Sequence, residues 1–154
     1  MSVTRRVVEC PLSDVFALFM NARAYPRWVV GATAFRGVDE EWPRPGTAFH
    51  HRVGVGPFAI DDQTKLLAVE PPRRVVLEAH AWPAGSAIVE LTLRAVDDER
   101  TEITTEERPS KGLAAALDSP PLRLMTRLRN RWGLARVDRI LQRRPSCRKS
   151  HQAT

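Results

Sequence analysis

From Thr33 to Arg108 the chain alternates between apolar and polar residues with a period of two, and turn-forming runs break that alternation into strand-length pieces. The pieces are Thr33 to Asp39, Thr47 to Val55, Pro57 to Val69, Arg74 to Trp82, Ser86 to Val96 and Thr101 to Arg108. Their separators include Trp42-Pro43-Arg44-Pro45-Gly46, Glu70-Pro71-Pro72, Pro83-Ala84-Gly85 and Asp97-Asp98-Glu99. All are shorter than the roughly dozen residues a parallel crossover needs, so the spacing predicts an antiparallel meander.

Helical signals flank the meander. Val3 to Cys10 alternates as one more strand, closed by Pro11. Ser13 is then a candidate N-cap for a short helix carrying Val15, Phe16, Leu18 and Phe19, and Asn21 for a second that Pro26 limits to about a turn. After the last strand comes a long amphipathic helix from about Leu113 to Leu141, whose regular part starts at Pro120 and Pro121. At 100° per residue, Leu117, Pro121, Leu124, Met125, Leu128, Trp132 and Ala135 share the side expected to face the sheet. Leu134, Val137 and Leu141 fall nearly opposite. Either the helix bends at Gly133, or its end packs on something else, such as a second copy of the chain in a homodimer.

Alternation also assigns the faces of the sheet. Ala87, Val89, Leu91 and Leu93 form an apolar row opposed by Glu90, Thr92 and Arg94. By the same rule Phe49, His51, Val53 and Val55 share a face, as do Thr101, Ile103, Thr105 and Glu107, which turns His51 and Glu107 inward. An inward carboxylate needs a partner, for which Arg5 or another inward base is the candidate. Of Asp61 and Asp62, one is expected to face the cavity and the other solvent. Trp82 alternates outward with Glu78 and His80.

The 154 residues suit one domain with a real core. The expected domain spans residues 1–142, with 143–154 a basic, frayed tail. The net charge of +6 is unevenly placed: residues 122–154 hold ten Arg or Lys against Asp138 alone, so residues 1–121 are mildly acidic. Arg outnumbers Lys 21 to 3, a coding-bias pattern that weakens the charge as a nucleic-acid signal. A solvated basic face is the expected reading, with nucleic acid disfavoured. No apolar run reaches the ~18 residues of a membrane helix and the N-terminus lacks a signal-peptide core, so a cytoplasmic protein is expected. Cys10 and Cys147 are read as free thiols. His50 and His51 point to opposite faces of a strand and cannot share a metal, no other His stands at ligand spacing and the two Cys are distant, so no metal site is expected; the sequence has no phosphate loop or dinucleotide fingerprint, so no nucleotide cofactor is expected.

Val15-Phe16, Tyr25-Pro26-Arg27-Trp28, Pro45-Gly46-Thr47, Glu70-Pro71-Pro72-Arg73-Arg74 and Thr101-Glu102-Ile103 ahead of Glu106-Glu107 occur in an order that resembles the polyketide cyclase/dehydrase-like branch of the SRPBCC (START-related) superfamily. The resemblance covers roughly residues 3–141. It implies an α+β helix-grip fold: a seven-stranded antiparallel sheet wrapped around the C-terminal helix, with an apolar cavity between them. The superfamily includes lipid carriers, hormone receptors and aromatase/cyclases, so the resemblance leaves activity open.

Within such a cavity the expected lining is Trp28, Phe49, His51, Val53, Val89, Leu91, Thr105, Glu107, Leu124, Met125, Leu128 and Trp132. Each has a plain structural reading, the aromatics as core packing and His51 as a hydrogen-bonded interior residue. His51 and Glu107 are the catalytic candidates, His51 because imidazole titrates near neutrality. Three functions stay open: a binder of a hydrophobic or aromatic small molecule, a cyclase or dehydratase-type enzyme using the same cavity, and a partner or nucleic-acid module using the basic end.

Overall fold

The computed structural model describes residues 1–81, 85–116 and 119–148. The seven expected strands form: β1 (Ser2–Val8), β2 (Ala32–Val38), β3 (Ala48–Val53), β4 (Ile60–Glu70), β5 (Arg74–Ala81), β6 (Gly85–Ala95) and β7 (Thr101–Lys111). They make one antiparallel sheet in the order β1-β7-β6-β5-β4-β3-β2. The meander from β2 to β7 is therefore continuous, and β1 closes onto the far edge. The helices are α1 (Leu12–Met20), α2 (Tyr25–Trp28), α3 (Leu113–Ala116), α4 (Pro120–Leu141) and α5 (Pro145–Arg148). A 3-10 turn at Ala22–Ala24 joins α1 to α2, which carries the chain between the two edge strands. This is the helix-grip architecture.

The inward rows follow the alternation. Phe49 and His51 are buried, as are Leu91, Leu93, Thr101, Ile103, Thr105 and Glu107. Val55 departs from its row at 82% exposure. β3 ends at Val53, and Gly54 turns the chain with φ +111°, where an added Cβ would lie 2.9 Å from the Ala59 Cα. Arg5 also departs: Ser2, Thr4 and Val8 are the buried residues of β1, so Arg5 points outward and cannot meet Glu107. Asp61 faces solvent beside Arg36 and Arg52, while Asp62 stands opposite His51 in the β3–β4 register. Trp82 and Leu117 lie outside the described residues.

The largest correction concerns α4. Leu124 (55%), Met125 (67%), Leu128 (40%) and Trp132 (63%) are exposed, whereas Gly133, Leu134, Val137 and Leu141 are buried. The stripe expected inside is outside, and the second stripe belongs to the core with Val8, Val15, Leu18 and Ile103. α4 continues through Gly133, because its own sheet and α1 accept that second stripe. The motive for a homodimer through Leu134, Val137 and Leu141 is thereby removed.

The chain ends of this core also differ from expectation. α1 starts at Leu12 with Pro11 in the N-cap position, so Ser13 sits inside the helix; Asn21 precedes the 3-10 turn without a side-chain cap bond. Residues 143–148, expected to fray, turn into α5 and bury Cys147. The end of α4 lies along β1, where Arg6 pairs with Asp138 at 2.8 Å. That placement brings α5 onto the end of β1, and Cys10 and Cys147 form a disulfide rather than two free thiols. Among the described residues no helix is long and apolar enough to cross a membrane.

Candidate functional site: a cavity under the C-terminal helix

Between the sheet and α4, along its stretch from Leu122 to Leu134, lies a cavity of about 390 Å³. The sheet supplies an apolar wall of Leu77, Ala79, Ala87, Val89 and Leu91, and the helix supplies Leu122, Thr126, Gly133 and Leu134. The Trp28 to Gly31 segment covers one end. Volume and lining suit a small organic molecule held mainly by contact with apolar surface.

Two polar groupings interrupt the wall. In the first, His51 on β3 is 2% exposed and its Nε2 lies 2.9 Å from Thr64 Oγ1 on β4. Thr64 Oγ1 in turn donates to the Tyr25 hydroxyl at 3.4 Å, and the Tyr25 ring stacks on His51 with centroids 4.9 Å apart. A threonine hydroxyl has one proton. With that proton given to Tyr25, Thr64 accepts from a His51 protonated at Nε2; with the proton given to His51, Nε2 is the acceptor and the imidazole carries its hydrogen on Nδ1. Nδ1 has no hydrogen-bond partner among the described residues. Burial lowers the His51 pKa, with Asp62 opposing and His50 assisting, so the imidazole is neutral near pH 7. Burial raises the Tyr25 pKa, although the Thr64 bond works against it, and the phenol stays protonated.

In the second grouping, Glu107 on β7 accepts from Arg129 Nη2 with both oxygens at 2.6 Å, and from Asn130 Nδ2 at 3.0 Å. The carboxylate is 9% exposed. Its charge is met by α4 instead of by a base on the sheet. This ion pair fastens helix to sheet beside the cavity and presents a fixed, polar surface to it.

Of the residues expected to line the cavity, Trp28, His51, Val53, Val89, Leu91, Thr105 and Glu107 do so. Phe49 does not: it is buried among Tyr25, Trp42 and His51, with ring centroids 4.6 to 5.6 Å away. Leu124, Met125, Leu128 and Trp132 do not either, since they project from the opposite side of α4. His80, expected outward, is a lining residue. Sequence reasoning missed Thr64, Arg129 and Asn130 and gave Tyr25 no role. Thr64 was within reach, because it shares strand parity with Asp62 and Leu66; Arg129 and Asn130 were hidden by the choice of helix face.

The model of one protein family matches residues 9–120, most of the chain. The chain belongs to the activator of Hsp90 ATPase homolog 1-like family. Membership agrees with the SRPBCC resemblance carried by the sequence motifs, and solved structures show the same fold. A conserved protein from Geobacillus kaustophilus is 14% identical, with 90% of this chain and 93% of that one covered and a TM-score of 0.70. The di-domain ARO/CYC StfQ from the steffimycin biosynthetic pathway is 19% identical at a TM-score of 0.67, over 93% of this chain and 45% of that one. CalU16 from Micromonospora echinospora is 16% identical at a TM-score of 0.63, over 97% and 80%. No curated protein matches the chain in sequence. For this member of the activator-like family, the neighbours establish the fold and the cavity supplies the functional argument.

Proposed function

We propose that the protein binds a hydrophobic or aromatic small molecule, of lipid or polyketide-like character, in the cavity between sheet and α4. The observation that carries this reading is a cavity of about 390 Å³ whose walls are mostly apolar, with two hydrogen-bonded polar groupings, His51-Thr64-Tyr25 and Glu107-Arg129-Asn130, set into them. Apolar contact supplies affinity, and the two polar groupings orient a ligand between them. Native mass spectrometry of protein purified without detergent tests it: a co-purified small molecule, displaced by heat or solvent, is expected. Absence of any adduct, together with no thermal shift across a panel of fatty acids and polycyclic aromatics, would overturn the reading.

A second reading is a cyclase or dehydratase-type enzyme acting on a poly-carbonyl chain in the same cavity. What favours it is the buried His51 ring at the cavity, whose pKa burial lowers, so that near pH 7 it is neutral and keeps one nitrogen able to take a proton. The fold shared with the ARO/CYC StfQ supports it at the level of architecture. Unchanged products from a poly-carbonyl substrate with His51→Ala and Glu107→Ala would remove these residues from any such reaction.

A further inference from the structure

The exposed stripe of α4 has no role in the cavity, and it is too apolar to be an ordinary solvated face. Leu124, Met125, Leu128 and Trp132 are 40 to 67% exposed along two turns and more of one helix. Arg127 and Arg131 flank them, both exposed and without an ion-pair partner among the described residues. α4 carries six arginines against the single acid Asp138, and that acid is bound to Arg6. A helix with a Leu, Met and Trp face bordered by uncompensated Arg has the composition of one lying in a membrane interface.

Charge decides between the candidate occupants. In a two-fold contact through this face, each copy would bring the same arginines, and among the described residues of α4 the one carboxylate, Asp138, is already held by Arg6. An anionic lipid surface instead answers both the apolar stripe and the positive border. A second apolar group stands near the same cavity: Val55 and Phe58 are 82% and 85% exposed in the turn that follows the cavity-lining Gly54. On α4 the cavity-lining Leu122 and Thr126 alternate with the exposed Leu124, Met125 and Leu128.

We propose that the outer face of α4, centred on Leu124, Leu128 and Trp132 and bordered by Arg127 and Arg131, docks the protein on anionic lipid bilayers. The proposal is independent of what the cavity holds. Flotation of the full chain with vesicles of equimolar phosphatidylcholine and phosphatidylglycerol tests it, with phosphatidylcholine vesicles as control. Binding to the anionic vesicles alone, weakening as salt is raised, is expected. Arg127→Gln with Arg131→Gln lowers partitioning by about fivefold per arginine, and Leu128→Glu abolishes it. Both substitutions are at exposed positions, so unchanged circular dichroism and melting keep the comparison interpretable. No binding to anionic vesicles overturns the proposal, as does binding undiminished in both variants. A concentration-dependent dimer that Leu128→Glu dissolves, without vesicle binding, assigns the face to a second copy and overturns it equally.

Discussion

Arg129 places one guanidinium nitrogen 2.6 Å from each oxygen of Glu107, so that an ion pair joins α4 to β7. Its two halves are unequally exposed, with the Glu107 side chain at 10% and that of Arg129 at 44%. Removing the base strands a nearly buried carboxylate with Asn130 as its remaining partner, whereas removing the acid lets Arg129 rehydrate. Arg129→Met is therefore expected to cost more than Glu107→Gln, about 2 kcal/mol against about 1 kcal/mol, both below the cost of breaking a wholly buried pair. Urea unfolding of the two variants measures the difference. Equal costs would mean that the pair behaves as a surface contact.

His51 makes stability pH-dependent in a defined direction. Folding lowers its pKa below the ordinary value of about 6.5, chiefly through burial, so between the two values the unfolded chain binds more protons. Stability contributed by neutral His51 is complete above about pH 6.5 and is lost as pH falls toward the folded-state value. Urea midpoints taken between about pH 5 and pH 7.5 should fall on the acid side, and His51→Asn should flatten that part of the profile. A profile unchanged by the substitution would exclude His51 as its source.

Leu134 and Leu128 lie on opposite faces of α4, at 3% and 40% exposure. Leu134→Ala opens space in the core and is expected to cost about 2–5 kcal/mol. Leu128→Ala removes a side chain that water already reaches and should stay within about 0.5 kcal/mol. The ranking by thermal melting tests the orientation of the helix directly, since the reverse order would restore the face suggested by periodicity.

Ala87 sits on the cavity wall opposite α4. Ala87→Phe should fill part of the 390 Å³ space while keeping the sheet, because the added ring enters volume instead of displacing packed atoms. The expected result is an unchanged or raised melting temperature with loss of any co-purified adduct in native mass spectrometry. Retention of the adduct at full occupancy would place the ligand elsewhere.

The sheet was legible because a one-residue error in strand phase reverses a whole face, so the rows Phe49-His51-Val53 and Thr101-Ile103-Thr105-Glu107 had one self-consistent reading. Their cavity members follow from that. α4 was misread because it is apolar on two sides, and the side with more apolar residues is the exposed one. The inward side looked polar at its start since Thr126, Arg129 and Asn130 border a cavity instead of filling a core. Gly133 suggested a bend, but its role is a close approach, as a Cβ there would come within 3.2 Å of the Trp28 carbonyl oxygen. Cys10 and Cys147, far apart in sequence, meet only because the end of α4 runs along β1.

Strand number, antiparallel order, the terminal helix and the inward direction of His51 and Glu107 were all determined by the sequence, because local alternation and turn chemistry act over a few residues. The tertiary structure alone decided which side of α4 meets the sheet, which base neutralises Glu107, and that Tyr25 and Thr64 complete the His51 grouping. Those choices depend on distances between segments 13 to 132 residues apart, where the shape left between sheet and helix, and not the pattern within either, selects the partner.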